Sequence, residues 1–514
     1  MRLAAIVATA TDVASTRSRT AKKRRLAELL AAVAPSETRA VVGLLLGRPI
    51  QGRIGVGWRT AHAVRTQPAA DSTLTVSDVD RAFTEVAAAA GRGAAQARAA
   101  TLESLMRRAT VDEQDYLIRV LTAEMRTGAL EGVLTDAAAD AAGVPPSEVR
   151  RAAMLSGDLG STVRAALAGE DLGAVDLTPG IPVAPMLAGT AGSAAEAVAG
   201  MADASVEVKL DGARIQVHRV RGEVAVYTRS LADVTVRVPE IVALVSGFSG
   251  GDLVLDGETL ALDASGAARP FQETMSRFGM GAGDVALSAW FFDALYAEGR
   301  SLIDEPLRRR REVLSRLVGE RRIRGIEVAG GESAARADDF FRAAVAGGDE
   351  GVVVKSLDSP YTAGRRGSQW IKVKPVYTYD LVVLAVEQGS GRRRGLLSNL
   401  HLGARDPDGR YGPPGGFVMV GKTFKGLTDE VLRWQTDYFP TIATGEAGHV
   451  LNVRPETVVE VAIDGVQRSS RYPGGVALRF ARVKRYRTGV DGKPAVDADT
   501  IDVLQSLPGA RSRA

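Results

Sequence analysis

A chain of 514 residues, 45% hydrophobic and 25% charged, has room for about three separately cored domains. It contains no cysteine, which excludes disulfides, thiolate catalysis and cysteine-ligated zinc or iron–sulfur centres. The formal charge of +4, from 65 basic and 61 acidic side chains, admits an anionic partner without demanding one.

The first ~180 residues are alanine-rich with helical periodicity. Leu26, Leu29, Leu30 and Val33 share one stripe, and Val79, Phe83 and Val86 share another. The short apolar opening precedes the basic cluster Arg17, Arg19, Lys22, Lys23, Arg24 and Arg25, the reverse of a secretory leader. No apolar run approaches the ~20 residues of a membrane span, so the expectation is an intracellular protein. Thr110-Val-Asp-Glu113 has capping-box spacing ahead of Leu117, Val120, Leu121 and Met125, with Gly128 as the expected stop. In the Gly157–Ser161 turn, Ser161 is the expected cap of the next helix. The Gly-, Asp- and Pro-rich stretch from Gly169 to Pro185 changes the texture and puts a first boundary near residue 180. Strands and helices alternate from about 205 to 375. After Pro375 the runs LVVLAV, GFVMVGK, TVVEVAI and VALRFARV read as strands of a small β domain.

The chemistry concentrates in the middle. Only ten of the 65 basic residues are lysines, none lies between Lys23 and Lys209, and four fall in short strand-like segments: Lys209, Lys355, Lys372 and Lys374. Where composition presses toward arginine, a retained lysine suggests a task guanidinium cannot perform, such as nucleophilic attack through a neutral amine. In SVEVKLDGAR, alternation puts Glu207 and Lys209 on one face, and Asp211-Gly212 supplies a tight turn before Arg214. Arg229 follows the next strand in Tyr-Thr-Arg-Ser. Glu258 follows Asp256-Gly257, where a turn is the common meaning and a cation or ribose contact the functional one. Phe291 and Phe292 read equally well as core aromatics or as a base-stacking platform. In EGVVVK, strict alternation separates Glu350 from Lys355, so Glu350 belongs either to the Gly347-Gly348 turn or to a bulge. WIKVKP aligns Lys372 and Lys374 behind Arg365 and Arg366, a crowding that calls for an anion between them. His62, His218, His401 and His449 show no metal spacing.

In this order, KLDGAR, TRS at 228–230, LDGE at 255–258, FFDAL at 291–295, EGVVVK at 350–355, WIKVKP at 370–375 and RFARVKRYR at 479–487 resemble the motifs of covalent nucleotidyltransferases. They most closely resemble those of ATP-dependent DNA ligases. The last motif departs from the pattern, because Gly489–Gly492 loosens the spacing to Asp491 and Lys493. The resemblance implies a multidomain α+β chain. An all-helical DNA-binding domain would span 1–178, a mixed α/β adenylation domain 179–377, and an OB-fold β-barrel 378–514. It implies ATP as substrate, Mg²⁺ or Mn²⁺ as cofactor, and nicked double-stranded DNA as partner, bound by a monomer that encircles it in the cytoplasm, at the nucleoid. Lys209 would carry AMP, Glu207 would read the adenine amino group, and Phe292 would stack on the base. Arg214 and Glu258 would touch the ribose or incoming phosphate, and Arg229, Arg366, Lys372 and Lys374 the phosphates. Glu258 and Glu350 would hold the metal, and Arg479, Arg482 and Arg487 would orient the leaving pyrophosphate. Two other readings stay open: an RNA ligase or capping-type nucleotidyltransferase, and a non-catalytic nucleotide- or DNA-binding protein that keeps the fold.

Overall fold

The computed structural model describes every residue except 53, 126–129, 264–265, 267, 270, 281–285, 330–332, 508 and 511–514. Among the described residues, ten helices run from Leu3–Ser15 to Leu159–Leu167 around a shared apolar core that includes Leu26, Leu30, Val79, Phe83 and Leu117. The capping box forms as the spacing predicts: Thr110 caps helix Val111–Leu121 and Glu113 returns the bond to the Thr110 amide. That helix ends four residues before Met125, and Gly128 lies outside the described residues. At the Gly157–Ser161 turn the cap is Asp158, which accepts from the Ser161 amide at 2.9 Å, whereas Ser161 sits inside the first turn. A carboxylate is the stronger acceptor at a helix N-terminus, and Ser161 Oγ itself donates to it.

Chain 187–373 builds two five-stranded sheets. One contains β1 (Leu187–Thr190), β2 (Asp203–Lys209), β8 (Gly325–Ala329), β9 (Gly351–Ser356) and β10 (Arg366–Val373), in the order β1-β10-β9-β2-β8. The other contains β3 (Ala213–Val220), β4 (Glu223–Thr228), β5 (Leu253–Ala261), β6 (Leu287–Ala297) and β7 (Arg300–Ser301), in the order β4-β3-β5-β6-β7. Asp256-Gly257 is therefore interior to β5 and not a turn.

From Tyr377 onward the chain is β-rich: β11 (Tyr377–Gln388), β12 (Leu397–Asp406), β13 (Gly416–Thr423), β14 (Ala443–Ala447), β15 (Val450–Val453), β16 (Val458–Ile463), β17 (Gly465–Arg468), β18 (Val476–Arg479) and β19 (Arg482–Tyr486). The long β11 pairs with β12 on one edge and with β15 and then β16 on the other, and β16 pairs with β19. Thr423 Oγ in β13 donates to the Ala481 carbonyl, curling the far edge back toward β18 and β19.

The helical segment is not independent of the sheets. Leu155, in helix Pro146–Ser156, shares a buried cluster with Leu177, Val183, Met186, Tyr361 and Trp370. The connecting strap is stitched down by polar bonds. Gly180 donates to His218 Nδ1 at 2.8 Å, and Val183 exchanges two hydrogen bonds with the Gln216 amide.

Candidate active site

The two sheets present their polar positions to each other. On β2, Ser205, Glu207 and Lys209 share one face, opposite Lys355, Val353 and Gly351 of β9. Lys355 in turn faces Trp370 of β10, with Lys372 beside Val353. Cross-strand neighbours share a sheet face, so the lysines and Glu207 line one wall. Gly212 follows Lys209 where a Cβ would come within 2.3 Å of the Thr259 carbonyl, so only glycine lets this turn close onto β5. Gly351 has φ +143°, and a Cβ there would meet the Val373 carbonyl at 2.2 Å. Glu350 lies in the turn before β9, which settles the alternation problem, and its amide bonds the Lys209 carbonyl at 3.0 Å.

Glu350 is the hub. One carboxylate oxygen accepts from Lys209 Nζ, and the other lies 2.7 Å from Lys374 Nζ. Burial works to raise its carboxyl, but Lys209 and Lys374 outweigh that and hold it below the usual carboxylate range. Lys374 is opposed by burial yet raised by its carboxylates, Asp464 at 2.6 Å and Glu350. Lys372 goes the other way: burial first, then Lys374, Lys209 and Arg366, push its pKa down. It pairs with no carboxylate among the described residues. Arg229 and Arg366 are exposed and likewise unpaired among the described residues.

The other wall carries Glu258 and Arg214, directly opposite each other on β5 and β3. Burial pushes Glu258 up to about 7, with Asp256 and Glu350 adding to the effect while Lys209 and Arg214 oppose it. Arg214 forks onto Asp256 at 2.9 and 2.5 Å and also donates to the Met186 carbonyl at 2.6 Å. Tyr361 donates to Asp256 at 2.6 Å. Between the walls, Phe292 reaches the cleft while its neighbour Phe291 is fully buried in the second sheet's core. Lys355 Nζ stands 4.5 Å from the Phe292 ring centroid, 4.4 Å from that of Trp370, and 2.5 Å from Glu207.

From the β-rich domain, Arg479 forks onto Asp211 at 2.6 and 3.1 Å. Two further arginines of its motif, Arg482 and Arg487, form no ion pair with a cleft residue among the described residues. Arg487 lies against Glu460 and Asp380 within its own domain, and Arg482 is exposed. Lys493 also bonds Asp380, and the Asp491 side chain lies outside the described residues. Sequence reasoning passed over Asp211, Asp256, Tyr361 and Asp464. For the three aspartates the available signal was a position directly after, or inside, an apolar strand, a costly place for an unpaired charge, whereas Tyr361 carried none.

A strand lysine set among cations and carboxylates, an aromatic ring at the same cleft and a β-rich domain in contact with it make the arrangement expected of a covalent nucleotidyltransferase. Family models carry this further. Residues 59–139 match a DNA ligase N terminus, 185–374 an ATP dependent DNA ligase domain, and 393–489 an ATP dependent DNA ligase C-terminal region. A probable DNA ligase of Pseudarthrobacter chlorophenolicus is 57% identical over 510 residues, 99% of each chain. One from Rhodococcus opacus is 52% identical over 514 residues, covering 99% of this chain and all of the relative. The solved structure Pmar-Lig_PreS3 superposes over 94% of this chain and 99% of its own with a TM-score of 0.58 at 18% identity, a likeness of fold. The chain belongs to the ATP-dependent DNA ligase family, and it is a DNA-joining enzyme that uses ATP.

Proposed function

We propose that the enzyme seals 5′-phosphate/3′-hydroxyl nicks in duplex DNA through an AMP–lysine intermediate on Lys209. Lys209 Nζ attacks the α-phosphorus of ATP, a P–N bond forms, and the P–O bond to pyrophosphate breaks. AMP then passes to the 5′-phosphate of the nick, freeing Lys209, and the 3′-hydroxyl displaces AMP to close the backbone. The observation that carries this reading is the Glu350 hub, which holds Lys209 and Lys374 on its two oxygens while Lys372 stands beside them without a carboxylate. Clustered cations lower the cost of a neutral, nucleophilic amine and attract the phosphates it attacks.

Glu207, fixed by Lys355, reads the adenine amino group, and Phe292 stacks on the base with Lys355 on its ring. Arg214 and Glu258 take the ribose or the incoming phosphate. Arg229, Arg366, Lys372 and Lys374 contact phosphates, and Arg479 orients the pyrophosphate. A divalent cation fits the donor set. Glu258 and Glu350 are oxygen donors of the same cleft, and Glu258 forms no ion pair among the described residues. Among the described residues no three such groups cluster, so Mg²⁺ or Mn²⁺ would be held by these two carboxylates with phosphate oxygens, neutralising charge there. The helical domain, 1–178, grips the duplex by phosphate contacts, and domains 179–377 and 378–514 close around it as a monomer at the cytoplasmic nucleoid. Among the described residues no helix is long and apolar enough to cross a membrane.

The test follows product and protein–AMP adduct on one gel, using ATP, Mg²⁺ and a 5′-phosphorylated nicked DNA duplex, with a nicked RNA duplex in parallel. Sealing of DNA far above RNA, lost together with the adduct in Lys209→Ala, is the expected result. An adduct without DNA sealing would move the substrate to RNA, and absence of any adduct would refute the nucleophile.

A further inference from the structure

Three contacts tie the β-rich domain to the nucleotide cleft, and two of them fall on one side chain. Arg479 meets Asp211, while Lys374 meets both the Asp464 carboxylate at 2.6 Å and the Phe480 ring, whose centroid lies 5.6 Å from Nζ. Asp464 and Arg479 are themselves joined, because the Asp464 amide donates to the Arg479 carbonyl at 3.0 Å at the base of the β17–β18 hairpin. Phe480 is held with φ +54°, a left-handed conformation costly for an aromatic residue. Its ring remains 60% exposed, flanked by Lys374 and by Lys425 at 5.4 Å. The bend between β18 and β19 thus holds an exposed aromatic between two cations, one of them Lys374 of the cleft, as a docking contact requires.

The position of Lys374 gives these contacts their meaning. It directly follows β10, and only Pro375 and the exposed Val376 separate it from β11, the first strand of the next domain. The side chain thus spans the joint about which the two domains would turn. Its ammonium is divided between Glu350, which also holds Lys209, and Asp464, which travels with the β-rich domain.

We propose that Asp464, supported by Phe480, is a positioning residue for the first chemical step: it captures Lys374 when the β-rich domain closes, fixing that domain and its Arg479 over the nucleotide. This rests on the reading of Lys209 as the nucleophile. Asp464 touches none of the reacting atoms. It acts through Lys374, and its contact breaks when the domain swings away to admit DNA. Losing it therefore slows AMP transfer to Lys209 and leaves the later steps alone.

The experiment uses the full-length chain in two single-turnover assays, self-adenylylation over a range of Mg²⁺-ATP and sealing of a pre-adenylylated nicked duplex. Asp464 is partly solvent-exposed, so Asp464→Asn keeps the fold, and Asp464→Glu restores the charge. For Asp464→Asn we expect the maximal adenylylation rate to fall about ten-fold, as for loss of one charge-assisted hydrogen bond. Half-saturating ATP should be little changed, pre-adenylylated sealing should stay within about two-fold of wild type, and Asp464→Glu should recover part of the rate. Faster adenylylation at lower ATP would overturn the proposal, making Asp464 an internal competitor of the phosphates. Equal losses in both assays, or an unchanged adenylylation rate, would overturn it too. Failure of the wild-type chain to form a Lys209 adduct would instead remove the nucleophile reading beneath it.

Discussion

Asp256→Asn tests whether the cleft wall is held by charge. Arg214 is 16% exposed and Asp256 only 1%, and they meet through two hydrogen bonds while Arg214 also donates to Met186 and Tyr361. Removing one partner of such a pair leaves the other charge buried and unmatched, which costs about 3–5 kcal/mol. The loss should be local to the second sheet, so the assay is amide hydrogen exchange of β3 and β5 peptides in the nucleotide-free chain. About 3 kcal/mol corresponds to exchange roughly a hundred-fold faster, if these amides exchange through opening of that sheet. Self-adenylylation should fall as well, because Arg214 is no longer held in a fixed position on the cleft wall. A double replacement, Arg214→Met with Asp256→Leu, should recover the exchange protection and not the activity, since apolar packing replaces a buried pair without its chemistry. Exchange within about three-fold of wild type in Asp256→Asn would refute the argument.

Glu258→Gln should stabilise the nucleotide-free chain at pH 8 and not at pH 4. The folded carboxyl, near 7, lies above its ordinary value, so its contribution is present at low pH and lost as pH rises toward 7; an unchanged melting difference between the two pH values would contradict this. His218 is buried and held down to about 4, so its contribution is full above ~6.5 and fades as pH falls toward 4. Between pH 7.5 and 4.5 the wild type should lose on the order of 2 kcal/mol relative to His218→Asn, measured by denaturant unfolding, and parallel pH profiles would contradict it. A chain starting at residue 179 loses Leu155 and Leu177 from the cluster around Tyr361 and Trp370, whereas one starting at 146 keeps them. The shorter chain should melt lower and self-adenylylate less, and equal melting would show that the shared cluster carries no stability.

What the sequence made legible was whatever a single strand determines. Alternation set Glu207 beside Lys209 and Lys372 beside Trp370 because side chains on a strand repeat every second residue, and β2 and β10 obey that. Alternation also separates Phe291 from Phe292, with the first in the core and the second toward the cleft. What it hid was whatever needs a remote partner. Asp256-Gly257 resembled a turn because its partner Arg214 lies 42 residues away. In the basic cluster at 17–25, Arg19 and Lys23 pair with Asp136 and Asp140, and Arg25 with Asp12, partners that no local reading supplies. Arg487 shares a motif with Arg479 and still pairs within its own domain, since a few residues of chain separate the docking arginine from a structural one.

The lysines show why the composition argument pointed to this cleft. Lys209 and Lys374 share Glu350, and Lys355 is matched to Glu207. A lysine ammonium can surrender its proton and attack as a neutral amine, which a permanently charged guanidinium cannot. Lys372, alone of the four in the cleft, has no carboxylate among the described residues, and its neighbours Lys374, Lys209 and Arg366 all disfavour its charge. A wall that pairs three of its lysines with carboxylates and leaves the fourth without an ion pair among the described residues is what the proposed phosphate contact beside Lys209 would need.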